Sequence, residues 1–598
     1  MTAPPLQRFV DQANGEVLVL HDRVAADAVA DLGDAVLCPT DATPPEPATR
    51  WAAVVLAVAD TVALRRIVPG LPQLGRARSI ACWLTETERA VALTQHPGWP
   101  PLSTLQARRL GSGAGWTAVR FEGPVLVNAV LEQLGRDAVP SRVHPPAGLV
   151  VTGPEDADDP ATAVPPDVIL TSGSPFSPPS YDVTGRRAVL VTDPDLVHGP
   201  LDEGVLNPAG FVQRPSEGLV NLRSHASGRP AFHGLTRSVE VDPTRGATAQ
   251  LVTALREHRG VRVDWAGGGA DLATLVAGLA MAGVPLSSDT VPDGATSRLG
   301  ASLAAALSAV TDLDDHLRRE EHSVRLRRAA LLTHSTLGWG ARLAEAGGLP
   351  HRRFPSCSIV LATKRPEQLE FALRQVAGQT AAEVELVVAA HGFTPEESWV
   401  QERAGRPTTV LALPPETLFG DVLNAGVRAT SGDLIVKMDD DDWYGPDFIS
   451  DLLLARHYSG ADVTGTTAEY VYLETLDRTV RRNVRSERTA GFVAGGTIMV
   501  ERGYLASLGG FRPVRRFVDA QLFAATVALG GSIYRTHGLG YVLRRTPQGH
   551  TWDADDAFFL DPARLDQQWP GFVPSRLLTP DAADVPTRTA GARASNTI

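Results

Sequence analysis

Cysteine and lysine are both scarce in this chain. Three widely separated cysteines, Cys38, Cys82 and Cys357, show no metal-ligand spacing, so reduced and mostly buried thiols are expected in place of a thiolate metal centre. Lysine occurs only at Lys364 and Lys437. Both stand at the ends of strand-like runs beside polar stretches, which suits a compact charge near phosphate as well as it suits an arginine-biased genome. Basic runs interleaved with aromatics are missing and the net charge is −12, which argues against nucleic acid as the main partner. Long apolar runs are missing too: Trp51–Ala59 is too short to span a bilayer and Leu272–Leu286 is interrupted. The opening MTAPPLQRFVDQANGE lacks the basic and then apolar pattern of a signal peptide. A cytoplasmic protein is therefore expected. No transmembrane segment is read, while peripheral contact with a membrane is compatible with the sequence.

What is present is an ordinary globular composition over 598 residues, too long for one core. Short apolar strands alternate with helix-compatible segments from Glu16 to Phe121, at Val17–Leu20, Trp51–Ala59, Ser79–Trp83 and Thr117–Phe121. That rhythm reads as an α/β domain over 1–145. Gly111, Gly113 and Gly115 form a GxGxG run, but it precedes a strand and not a helix, which is the wrong order for a phosphate cradle. A Pro-rich connection follows, and a second α/β lobe is read over 180–300, with strands from Ala188, over Ser238–Asp242 and over Val261–Trp265. Its last strand runs into Gly267–Gly269 and a helix, an order in which backbone amides can meet an anion, although a plain tight turn is the simpler reading. A helical connector is expected over 301–350. Its alternating charges, HLRREEHSVRLRR from His316 to Arg328, most simply make a solvated face or an interdomain brace. Residues 575–598 read as a polar, disordered tail.

The C-terminal half carries the chemistry. Ser358–Ala362 reads as a buried strand ending in Thr363, Lys364, Arg365 and Pro366, followed by helical spacing over Glu367–Gln379. Strands at Val384–Ala389 and Thr408–Leu413 and a helix over Asp421–Ala429 come next. An apolar strand, Leu434–Val436, then delivers four consecutive aspartates, Asp439–Asp442. A β-α-β-α-β order makes a parallel sheet whose strand ends share one edge, so Thr363–Arg365 and the aspartates can meet in space. Four adjacent carboxylates repel one another unless a cation is expected. An acidic turn capping the helix near Pro446 is the competing reading.

Taken in order, SIVLATKRP, LNAGVRATSGDLIVKMDDDDWYGPDF, GFVAGGTIMVERGYLASLGGF, FVDAQL and GHTW resemble the family 2 glycosyltransferases of GT-A fold, over about residues 355–552. The resemblance implies a GT-A domain over 355–560, a Rossmann-like mixed sheet preceded by one or two α/β lobes. It implies a metal-dependent, inverting hexosyltransferase that moves a sugar from a nucleotide-diphosphate donor to a glycan or other hydroxyl acceptor, in bacterial polysaccharide or envelope glycan synthesis, with Mn2+ or Mg2+ as cofactor. In the family's DxD pattern Asp439 faces the nucleotide and also serves the metal, Asp441 is the stronger metal ligand, and His550 of GHTW joins the metal or the diphosphate. Thr363, Lys364, Arg365, His391, Asn424, Lys437 and Asp440 would contact the donor. Asp519 aligns with the catalytic base, in a motif where Val518 stands for the usual Glu; a helix N-cap is the alternative.

Gly495 and Gly496 would let an acceptor sugar approach the backbone. Trp443 would stack on a sugar face or belong to the core. Arg544 and Arg545 would neutralise phosphate oxygens or form a surface pair. The family's acidic pair after the second strand is replaced here by Ala389, Ala390, His391 and Gly392, which leaves the nucleotide base open. It also motivates an alternative, a catalytically eroded GT-A module that binds or scaffolds in a glycan assembly complex. A nucleotidyltransferase would want a glycine-rich loop after the first strand, which Thr363–Pro366 lacks. The N-terminal region is expected to fix the acceptor, a partner or a homo-oligomer.

Overall fold

The computed structural model describes residues 4–45, 50–68, 71–87, 91, 93, 99–100, 102–138, 151–152, 168–171, 189–193, 196–204, 211–224, 230–235, 241, 246–266, 270–309, 312–349, 351–381, 383–546, 555–580 and 582–586. The Gly267–Gly269 turn, the core of the Ser238–Asp242 strand and His550 lie outside the described residues. The chain is a mixed α/β protein and divides into two compact units. One comprises Met1–Arg142, Leu418–Ala429 and Glu501–Gly530; the other comprises Val143–Thr417, Thr430–Val500 and Gly531–Ile598.

The first unit is built on a six-stranded sheet in the order Val36–Pro39, Val17–His21, Ala53–Val58, Arg76–Leu84, Gly115–Leu126, Leu102–Arg109. The first four strands run parallel and the last two pairings are antiparallel. Alternation of side chains across the pleat explains its two cores. Leu18, Leu20, Val54 and Leu56 enter one apolar cluster, and Val17, Val19, Ala53 and Val55 enter the other. Two strands escape local pattern: Val36–Pro39 is short, and Leu102–Arg109 (LSTLQARR) is a polar edge strand exposed along most of its length. Gly115 opens a strand, as the GxGxG order predicts. Helix Arg502–Ser507 packs on helix Val127–Asp137 within this unit.

The second unit holds an eight-stranded sheet, in the order Thr408–Leu413, Val384–His391, Cys357–Thr363, Leu434–Met438, Met499–Glu501, Val463–Gly465, Ile533–Arg535, Arg488–Thr489. Its first four strands are parallel. Cys357–Thr363 and Leu434–Met438 are buried on both faces, which is why they read as continuous apolar runs. A five-stranded sheet contains Trp443–Tyr444, Tyr541–Arg545, Tyr470–Leu473, Arg478–Arg482 and Leu565–Pro570, and a four-stranded sheet contains Pro230–His233, Glu217–Ser224, His258–Asp264 and Leu286–Ser287.

Helix His316–His334 corrects the expectation of a solvated face. Arg319, Glu320, Glu321, His322, Ser323 and Arg327 are all buried on it. Three charged groups of this helix find ion-pair partners far along the chain: Glu320 meets Arg481, Arg327 meets Glu487 at 2.7 Å, and Arg328 meets Asp447 at 2.5 Å and Asp451 at 2.8 Å. Alternating charge on this helix is thus a record of internal ion pairs, which local periodicity cannot tell from solvation.

The expected disordered tail is also corrected over 575–580 and 582–586. Ser575, Leu577, Leu578 and Asp584 are buried, and the Asp584 carboxylate accepts hydrogen bonds from Arg374 and Gln375. No helix among the described residues is long and apolar enough to cross a membrane.

Candidate active site

Parallel register brings three strand ends level. Leu361 pairs with Met438 and Thr363 with Ala390, so the residues following each strand emerge along one edge. The four aspartates there have four different environments, because the chain turns sharply between Met438 and Trp443.

Asp439 is the half-buried one. Its Oδ1 accepts from Lys437 Nζ at 2.8 Å, and that ammonium, itself buried, also donates to the Gly495 carbonyl at 2.9 Å. Asp440 is buried and accepts from Thr363 Oγ1 and from Arg365, whose Nε lies 3.1 Å from Oδ2. Arg365 reaches Asp441 as well, at 2.9 Å. Burial raises the Asp441 carboxyl, and the Asp440 charge adds to this, so that it titrates at about 6 although Arg365 opposes both. Asp442 is fully buried, bonded by the Tyr541 hydroxyl at 2.6 Å and the Arg544 amide at 2.9 Å. Burial first and the Asp441 charge second push its carboxyl well above the usual range. Two basic side chains therefore hold three of the aspartates, and the fourth belongs to the interior.

Tyr444, which the sequence reading passed over, fastens this turn. Its buried hydroxyl accepts from the Asp439 amide at 2.8 Å and donates to the Gly496 carbonyl at 2.8 Å. Its position five residues after Asp439 was the available signal, but nothing in sequence distinguishes it from a core tyrosine.

Other expected site residues divide. Lys364 is exposed beside Thr363. His391 ends its strand with Nε2 bonded to the Pro415 carbonyl at 3.0 Å. Trp443 is corrected to a core residue. It is 1% exposed, packed against Phe371, Tyr472 and Phe572, with its indole N–H donated to the Asp584 carbonyl, so neither ring face is open to a sugar. Arg544 pairs with Glu474 at 3.2 Å, and Arg545 is buried over the Phe559 ring. In the first unit Asn424 is corrected from a donor contact to a structural pin. Its Nδ2 donates to the Phe511 carbonyl and its Oδ1 accepts from the Phe511 amide, which occupies both ends of the amide. Asp519 stands in the first turn of helix Val518–Ala528, also in the first unit, and does not act as its N-cap, a position held by Phe517.

Among the described residues no group of three or more His, Cys, Asp and Glu side chains is arranged to hold a metal ion. The donor set does fit a hard divalent cation held by two carboxylates, Asp439 and Asp441, with ligand oxygens and water completing the shell.

A parallel sheet with paired carboxylates and basic groups beyond its carboxyl edge belongs with the open α/β proteins, in which ligands collect at that edge. Residues 357–523 match the family model described as Glycosyl transferase family 2, and this segment is a family 2 glycosyltransferase domain. A search of the curated proteins finds no match. Among solved structures, the mannosyltransferase PcManGT from Pyrobaculum calidifontis, in complex with GDP-Man and Mn2+, is 14% identical; the match covers 33% of this chain and 59% of that one at a TM-score of 0.27. S. aureus TarS 1-349 in complex with UDP-GlcNAc is 17% identical, with 33% and 61% covered and a TM-score of 0.27. GalNAc-T7 with UDP, GalNAc and Mn2+ is 13% identical, with 34% and 46% covered and a TM-score of 0.27. The chain thus spans between 46% and 61% of the length of these three structures.

Gly496 is required by a close approach. A Cβ there would lie 2.7 Å from Asp439 Oδ2 and 2.9 Å from the Tyr444 hydroxyl. Gly496→Ala must therefore displace the Asp439 carboxylate, and a shift of about 1 Å in a positioning group weakens its function by up to about 100-fold. Calorimetry with a panel of nucleoside diphosphates should show weaker binding by about 10- to 100-fold in a variant that still folds; unchanged affinity would remove Asp439 from the donor site.

Proposed function

We propose that this chain is a metal-dependent, inverting glycosyltransferase that transfers a sugar from a nucleotide-diphosphate donor to a hydroxyl of a glycan or similar acceptor in polysaccharide or envelope glycan synthesis. The observation that carries this reading is the pairing of Asp439 and Asp441 at the carboxyl edge of the parallel sheet, each already facing a basic side chain. Asp439 and Asp441 would hold Mn2+ or Mg2+, which when bound neutralises charge on a departing diphosphate. Lys437 aims the Asp439 carboxylate, and Thr363 and Arg365 order Asp440 beside it. A cation at Asp441 would compete with Arg365 for that carboxylate and free the guanidinium to clamp phosphate oxygens, for which its planar fork is suited. Asp519 is assigned as the base. It takes the acceptor hydroxyl proton as the acceptor oxygen bonds to the anomeric carbon and the bond from that carbon to the diphosphate oxygen breaks. His550 is kept as a third metal or diphosphate ligand.

Turnover of Asp519→Asn on a nucleotide-sugar and acceptor panel tests the base. Transfer should fall by at least about 100-fold while donor affinity, read by calorimetry, stays within about twofold. Wild-type turnover would overturn the assignment. The replacement of the family's acidic pair by Ala389, Ala390, His391 and Gly392 favours a second reading, a donor-binding scaffold without turnover. Metal-dependent donor binding with no transfer to any acceptor, and no hydrolysis of the donor, would favour that reading.

A further inference from the structure

The second unit contains a cavity that shares no residue with the aspartate edge. It lies among helices His316–His334, Ala249–Leu255 and Phe448–Ser459, with the turn Ala282–Pro285 and residues Tyr534 and His537 completing its wall. It encloses about 890 Å3 of empty space, counting the open space at its mouth. Val252, Leu255, Val284, Leu331 and Leu454 supply an apolar lining; Arg319, Arg327, Arg328 and His537 supply positive charge, and Glu320, Asp451 and Glu487 supply negative charge.

Three of these cations are neutralised within the protein. Arg327 pairs with Glu487, Arg328 with Asp447 and Asp451, and His537 with Asp451. Arg319 is different. It is 1% exposed, its Nη2 donates to the Val212 and Gln213 carbonyls at 2.6 and 2.7 Å, and among the described residues no carboxylate lies within ion-pair distance of it. Burial pulls its guanidinium down to about 10 although the Glu320 charge opposes the shift, and the Phe211 ring centroid lies 5.2 Å from it.

Three buried nitrogens on residues of this wall have no hydrogen-bond partner among the described residues: Nε of Arg319, Nε of Arg327 and Nδ1 of His537. The two arginine atoms are obligate donors. The histidine atom becomes one when the ring is protonated, which the Asp451 carboxylate 3.1 Å from its Nε2 favours. Native interiors leave few buried donors unmatched, and these cluster around one space. Donors without acceptors beside a cation without a carboxylate at ion-pair distance define what is missing, a group that brings both oxygen lone pairs and negative charge.

We propose that this cavity binds a small molecule carrying an oxyanion, a phosphate monoester or a carboxylate, on an apolar body, with the oxyanion at Arg319 and the apolar part against Leu255, Val284 and Leu331. Guanidinium groups match both oxyanions, and the apolar walls select against the bare inorganic ion.

Titration calorimetry of the full chain with hexyl phosphate and with heptanoate, at fixed ionic strength, tests the site and separates the two sources of negative charge. Saturable binding of at least one probe is expected, weakened at least tenfold in Arg319→Gln and unchanged in Arg365→Gln. Three results would overturn the proposal: no saturable binding of either probe, equal affinity in Arg319→Gln, or loss of binding in Arg365→Gln, which would move the anion to the aspartate edge. Should Arg319→Gln fail to fold, crystals of the unaltered protein soaked in tungstate decide the matter. An anomalous peak beside Arg319 supports the site, and a cavity holding ordered water only refutes it.

Discussion

Arg481→Met is expected to destabilise the protein by about 3–5 kcal/mol, the range for removing one partner of a buried ion pair. Arg481 is completely buried. Its Nε donates to Glu469 at 2.8 Å, its Nη2 serves both Glu469 and Glu320, and Asp566 lies 3.6 Å away. Methionine would fill much of the volume but leave two buried carboxylates facing each other. One cation between two acids also means that they do not share it equally. Arg481 is held firmly charged, chiefly by Glu469, whereas Glu320 is pushed up to about 7 by burial first and by Glu469 second. Glu469 already supplies the counter-charge to Arg481, so Glu320 is the acid that takes up a proton more readily.

A carboxyl whose folded-state value lies above its unfolded value binds more protons in the folded state. Its contribution is complete below about 4.5, the ordinary glutamate value, and is lost as pH rises through about 7. Urea unfolding followed by circular dichroism should show the midpoint of Arg481→Met sharply lowered. Glu320→Gln, which keeps shape and removes the titration, should instead flatten the decline between pH 5 and about 8. An Arg481→Met protein as stable as the parent would mean that the acids do not depend on it.

Asp441→Asn should separate activity from stability. Transfer should fall by on the order of 1,000-fold, the upper range for removing one preorganised charge-stabilising group. The melting temperature should hold or rise, because the substitution removes a buried charge from beside Asp440 and leaves Arg365 its bonds to Asp440. Divalent-cation affinity of the unaltered protein should weaken as pH falls through about 6, where Asp441 takes up its proton. Turnover assays, thermal melts and Mn2+ titrations at pH 5 and about 8 read the three effects separately. Full turnover in Asp441→Asn would exclude this carboxylate from the chemistry.

How far each feature could be read from sequence follows from the range of the interactions that made it. Strands Cys357–Thr363 and Leu434–Met438 declare themselves because burial on both faces demands unbroken apolar residues, a demand satisfied locally. Trp443 gives no such sign. An indole just past an acidic turn can face a ligand or the core, and the choice is made by Phe371, Tyr472 and Phe572, contributed by separate parts of the chain. Asn424 sits in a motif that suggests donor contact, yet its amide is held by Phe511, 87 residues later. Leu102–Arg109 has no apolar alternation to detect, since an edge strand needs pairing on one side alone.

The sequence by itself determined the order of strands and helices from Ser358 onward, and with it the edge at which Thr363, Arg365 and Asp439–Asp442 gather, because hydrophobic periodicity and strand order are carried by neighbouring residues. Tertiary structure alone decided how each aspartate is held. Asp442 was drawn inside by Tyr541 and the Arg544 amide, Asp440 and Asp441 were buried against Arg365, with Thr363 also on Asp440, and Asp439 was left half-exposed beside Lys437. It also turned the charges of His316–His334 inward, since burial and pairing depend on groups up to 255 residues away that no local pattern records.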